Sequence, residues 1–135
     1  MKPWENEEFV KEVYTQTKER LKKEYKSDII ALFHVEDHVE AYLEDADTIS
    51  GILGISPQSK VGEVYMVRFS ESDIEVSIRK LTDASLGISL SEIRDENGIC
   101  YLDAYREFAP ADSDNTDYES EYPQLISYKY KNKTI

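Results

Sequence analysis

Cysteine is almost absent from this sequence. The one thiol, Cys100, has no second cysteine to pair with, which excludes an internal disulfide and the stapled class of secreted domains. Bases are scarce too: 16 Lys and Arg stand against 28 Asp and Glu, a formal net charge of −12 at pH 7. That balance speaks against tight, non-specific nucleic-acid binding, because phosphate neutralisation needs a basic face. Apolar runs are short, and none approaches the ~18 residues of a membrane span. The start, MKPWENEEFVKEVY, carries four Glu in its first twelve residues and none of the apolar stretch of a signal peptide. Five glycines make no Gly-x-x-x-x-Gly-Lys-Ser/Thr phosphate cradle, and no nucleophile motif is present, so no enzyme and no cofactor is expected. What remains suffices for a fold. Ten Tyr, four Phe and one Trp can furnish a core, and 135 residues suit one domain. The expectation is an acidic, cytoplasmic α/β protein.

Hydrophobic spacing predicts the elements. Residues 5–25 read as a helix with Phe9, Val10, Val13, Tyr14 and Leu21 on its apolar stripe and Lys18, Glu19, Lys22, Lys23 and Glu24 solvated. The continuous apolar run from Asp28 to Val35 suits a buried strand. A second helix is expected from Asp37, with Asp37 and Glu40 in the spacing of a capping box and Gly54 as its stop, ahead of Pro57. Val61–Phe69 reads as a strand with Val61, Glu63, Tyr65, Val67 and Phe69 on one face. Ser70 is placed to cap a third helix whose stripe is Ile74, Ile78 and Leu81. Leu86–Ile93 and Ile99–Phe108 read as a hairpin joined through Asn97-Gly98. Residues 1–110 are therefore expected to form a single α/β (α+β) domain, a mixed sheet with about three packed helices. An acidic loop over 111–123 and an edge strand over 124–135, packing on the same domain, complete the chain.

The stretch Leu32-Phe33-His34-Val35-Glu36-Asp37-His38-Val39-Glu40-Ala41-Tyr42-Leu43-Glu44-Asp45-Ala46 resembles the N-terminal mismatch-recognition domain, domain I, of MutS proteins. That family carries Gly-Asp-Phe-Tyr-Glu and then an acidic pair and Ala at these spacings. Asp37, Glu40, Asp45 and Ala46 fall on matching positions, and Leu53-Gly54-Ile55 resembles the Leu-x-Ile beyond. Met66, Ile74-Glu75, Lys80-Leu81 and Glu92 keep register, so the likeness runs over roughly residues 10–95. It implies a small mixed α/β domain, in a degenerate, stand-alone copy, since 135 residues leave no room for clamp or ATPase domains. Isolated copies in bacteria would favour an accessory role in DNA repair.

The departures bear on function. The resemblance implies that the family's Phe wedges beside a mispaired base and its Glu accepts from a base edge; His38 and Glu40 stand at those positions. Glu36 replaces the Gly before the Asp. The second contact loop, Gly-x-Pro-Tyr-His in the family, is Arg68-Phe69-Ser70-Glu71-Ser72 here. DNA-contact candidates are then His38 for stacking, Glu40 for polar reading, His34 nearby, and Arg20, Lys22, Lys23 and Lys26 for phosphates. Each has a bland counterpart: a cap for Glu40, a solvated ring for His38. A metal site at His34 and His38 with Glu36 or Asp37 has no assured ligand geometry, and none is expected. Partners are duplex DNA, bound weakly, or a DNA-bound protein complex. The alternative is an acidic protein-interaction module or DNA mimic that has lost DNA binding and meets a basic protein through Glu36, Asp37, Glu40, Glu44, Asp45 and Asp47.

Overall fold

A computed structural model describes residues 3–25, 28–56, 59–96, 99–108 and 126–131. Their chemistry builds a sheet sandwiched between helices. After a 3-10 turn at Pro3–Glu5 comes α1 (Glu7–Tyr25), which buries Phe9, Val10, Val13, Tyr14, Thr17 and Leu21. The strand β1 (Ile29–Val35) follows and occupies the centre of the sheet, pairing antiparallel with β2 (His38–Tyr42) and parallel with β5 (Gly87–Glu96). Its largely apolar run, interrupted only by His34, has a simple cause: α1 covers one face and α2 (Leu43–Leu53) with α3 (Ile74–Asp83) the other. The remaining strands are β3 (Ser59–Val61), β4 (Val64–Ser70), β6 (Ile99–Phe108) and β7 (Ile126–Lys131), giving the order β3-β4-β2-β1-β5-β6-β7. The expected mixed sheet with three helices is present.

The stretch His38–Tyr42 corrects the expected second helix. It is a strand, and α2 starts only at Leu43, with Tyr42 at its N-cap and no side-chain cap. Asp37 and Glu40 form no capping box, because a two-residue turn at Glu36-Asp37 sends the chain straight back along β1, with Val35 opposite His38. Gly54 does end α2: its φ of 70° is left-handed and its N–H donates to the Ser50 carbonyl. Val61–Phe69 is not one strand but a hairpin, turning at Gly62 with φ 61°. Val61 joins Val64 and Met66 on the α1 side, whereas Val67 and Phe69 face α2 and α3. Ser70 caps the 3-10 turn Glu71–Asp73 ahead of α3 by accepting from the Ser72 N–H. The β5–β6 register places Glu96 opposite Ile99. Asn97-Gly98, Pro57, Lys26 and the acidic loop 111–123 lie outside the described residues. The C-terminal strand β7 pairs antiparallel with β6 at one sheet edge.

Two polar ties fix the helices to the sheet. Near its start β1 passes beyond the last β2 pairing, and the Ala31 N–H donates instead to Asp45 Oδ2 on α2, at 2.9 Å. Lys18 of α1, expected in solvent, reaches the same carboxylate at 3.1 Å and also meets Asp28. On the other side, Arg20 makes a two-pronged pair with Glu107 of β6, which also accepts from Tyr25 and Ser89 at 2.6 Å each.

Candidate functional site

The two-residue turn at Glu36-Asp37 and the strand period of two decide what lies at the rim of the sheet. His38, Glu40 and Tyr42 alternate with Val39 and Ala41, so the three polar side chains share the α1 face while the apolar pair joins the α2 and α3 core. The β2–β4 register puts Arg68 opposite Glu40 and Ser70 opposite His38. Glu40 is buried at 1% exposure, and its carboxylate is surrounded by donors. Oε1 accepts from the Tyr42 hydroxyl at 2.6 Å; Oε2 lies 2.7 Å from His38 Nε2 and 3.3 Å from Arg68 Nη2. Burial, and then the Glu40 charge, push the Tyr42 phenol far up, so it keeps the proton it donates. His38 also meets Asp37 through Nδ1 at 3.3 Å. A depression of about 400 Å³ opens over this cluster, walled by Trp4, Val61 and Met66 and flanked by Glu5 and Glu36.

Glu36 turns the corner with φ 54°, a left-handed conformation that costs a non-glycine residue about 1–2 kcal/mol. Glu36→Gly should therefore raise stability by about 1 kcal/mol, read as an increased midpoint in urea. A urea midpoint at or below that of the wild type would contradict this.

The other expected site residues are dispersed. His34 lies on the opposite face of the sheet from His38, bonded to Tyr105 and Glu71, so the two rings cannot share a metal ion. Among the described residues no group of three or more His, Cys, Asp or Glu side chains could hold a metal. Arg20 corrects its assignment as a phosphate contact, being committed to Glu107 and Glu24 with its side chain 10% exposed. Lys22 and Lys23 are exposed, but near the end of α1 that meets the start of β1, whereas Trp4 before α1 lies beside His38. They do not converge with His38. Lys22 and Lys18 line a larger cleft of about 750 Å³ with Tyr14, Asp28, Leu43 and Glu44. Asp45 and Glu40 are buried, which removes them from any acidic surface array; Glu36, Asp37, Glu44 and Asp47 are exposed. Cys100 is a buried core thiol, pushed up to about 11 by desolvation.

Arg68, Tyr42 and Tyr105 are the neighbours that spacing alone did not single out. The alternation His38-x-Glu40-x-Tyr42 was the available signal, a period of two that a helical reading overrides. No helix among the described residues is long and apolar enough to cross a membrane. No curated protein sequence matches the chain. The family model for MutS domain I matches residues 13–99, which run from the middle of α1 through β5 to the first residue of β6. More than half of the chain is matched, and the strand–turn–strand carrying His38 and Glu40 lies inside that span: the chain belongs to the MutS domain I family.

Proposed function

We propose that this chain is a non-catalytic module of DNA repair that meets duplex DNA, or a DNA-bound complex, at the hairpin end of its sheet, with contact residues altered from the family pattern. One observation carries the reading. His38 and Glu40, at the positions of the family's Phe-x-Glu, sit side by side on one face of β2, with the cation Arg68 across from them. The His38 ring supplies a stacking surface, smaller and more polar than that of Phe. Arg68, with 45% of its side chain exposed, replaces the helix lysines as the nearest phosphate contact. Glu40, buried and already accepting three hydrogen bonds, holds His38 and Arg68 in place at the rim rather than meeting a base edge itself. Affinity should be low, since acids at 36, 37 and 71 border the same rim.

Fluorescence anisotropy with labelled homoduplex and G·T-mismatched duplex at low salt tests this. Binding in the tens of micromolar is expected, weakened roughly fivefold by His38→Ala and by Arg68→Ala, about 1 kcal/mol each. No binding in that range, or binding indifferent to both substitutions, sinks the reading.

A second reading draws on the exposed acids. Glu36, Asp37, Glu71 and Asp73 crowd the hairpin end, and Glu44 and Asp47 line α2, which favours a basic protein partner over phosphate. Salt-reversible capture of such a partner, with no duplex binding, would select it.

A further inference from the structure

We propose that His34 is a positioning residue that latches the loop between β4 and α3 onto the β1–β2 hairpin, and that Tyr105 of β6 holds the latch in place. The loop is the 3-10 turn Glu71–Asp73, and none of its residues is buried. Apolar packing therefore does not fix it, and polar contacts must. Glu71 meets the hairpin twice. Its main-chain N–H donates to the Asp37 carbonyl at 3.1 Å, and its carboxylate lies 2.9 Å from His34 Nε2. The other imidazole nitrogen, Nδ1, lies 2.8 Å from the Tyr105 hydroxyl. The His34 and Tyr105 rings are 6.1 Å apart and tilted by 42°.

The direction of the chain of bonds follows from the donors. The Glu71 carboxylate can only accept, so Nε2 carries an N–H, and in the neutral ring Nδ1 is then an acceptor for the hydroxyl of the half-buried Tyr105, whose phenol desolvation pushes up to about 12. The Nε2–H donates to the Glu71 carboxylate, a charge-assisted bond. Tyr105 can reach His34 because the β5–β6 ladder breaks step between Leu90 and Ser91, leaving Tyr105 without a partner on β5. Tyr105 also lies beyond residues 13–99, so this contact is outside the family-matched segment.

The consequence for binding rests on the function proposed above. Ser70, at the root of the loop, is opposite His38. With the latch closed, the Glu71 charge is turned onto His34; with it open, the carboxylate is free to swing over the rim and repel a phosphate backbone.

Amide hydrogen exchange by NMR on the full chain tests the latch itself. Tyr105→Phe, which deletes only the hydroxyl, should speed exchange of the Glu71 amide by roughly 3- to 10-fold, and His34→Ala by at least as much, as for loss of an ordinary hydrogen bond. The amides of Leu32 and Leu90 should not change. An unaltered Glu71 amide in His34→Ala, or a rise shared by Leu32 and Leu90, overturns the latch; an unaltered rate in Tyr105→Phe removes Tyr105 from it. In duplex titrations, His34→Ala should weaken binding and His34→Ala/Glu71→Gln should restore it. If the wild type binds no duplex, the functional reading fails while the exchange rates still decide the latch.

Discussion

Replacing Glu107 by alanine should cost about 3–5 kcal/mol of folding stability, enough to unfold a marginal domain of this size. Glu107 is 4% exposed, and four donors converge on it: both terminal nitrogens of Arg20, the Tyr25 phenol and the Ser89 hydroxyl. Truncation takes from a guanidinium at 10% exposure its two-pronged buried partner, leaving the pair with the partly exposed Glu24, and strands a serine and a tyrosine hydroxyl. Glu107→Gln keeps the shape and some hydrogen bonds but not the charge, so it should fall between wild type and alanine. The pH dependence identifies the cause. Burial works against the Glu107 charge, but the hydrogen bonds from Arg20, Ser89 and Tyr25 outweigh it and hold the carboxyl below its ordinary 4.5. A carboxyl lowered in the folded state stabilises fully above its unfolded value, and that contribution is lost as pH falls through the folded value. Urea titrations should show the gap between wild type and Glu107→Gln constant near neutrality and closing below about pH 4.5. A gap that stays the same down to pH 3 would assign the loss to shape instead.

Asp45→Ala should cost about 3 kcal/mol, the low end for a broken buried pair. Lys18 stays 22% exposed and retains Asp28, which softens the loss, but the Ala31 N–H in the middle of the sheet is left without an acceptor. Asp45→Asn should cost less, since the amide oxygen can still accept from Ala31. Here the sign of the pH effect reverses. Burial raises the Asp45 carboxyl above its ordinary 3.8, although the Ala31 N–H and Lys18 pull the other way. A raised carboxyl contributes stability that is fully present below the unfolded value and is lost as pH rises through the folded one. Relative to Asp45→Asn, the wild type should therefore lose stability as pH climbs from 3.8. A gap moving in the same sense as that for Glu107 would mean that the Lys18 pair, not burial, dominates the site.

These two carboxylates mark where sequence reading succeeded and where it stopped. The apolar run Ile29–Val35, the stop at Gly54, the stripe of α3 and the hairpin ending at Phe108 follow from local pattern, and local pattern is what forms them. His38–Tyr42 reads as helix from spacing because a five-residue strand offers barely two periods and its inward face holds a histidine and a glutamate. Asp37 and Glu40 then match a capping box by chance of spacing. Arg20 reads as a phosphate contact because the acid that claims it lies 87 residues away in sequence. Lys18 misled for the same reason, with Asp45 on a different helix. No local window contains such partners; they exist only once the sheet order is known. The rim is legible by resemblance as a place, but not as a network: Arg68 reaches Glu40 only through the β2–β4 pairing, and Tyr42 reaches it only because residues 38–42 are extended.

The break of step between β5 and β6 makes room for variation. On either side of it the pairing is regular, from Ile93 opposite Leu102 to Ser91 opposite Ala104, and again from Leu90 opposite Arg106 to Ile88 opposite Phe108. Tyr105 is thus the surplus residue, the one position in β6 that the ladder does not need. A chain lacking it would zip the two strands straight through and still deliver Glu107 to Arg20. A strand that accepts one extra residue without losing its alignment is a place where a new side chain can be tried at little risk to the fold, and here that side chain is the tyrosine that reaches His34.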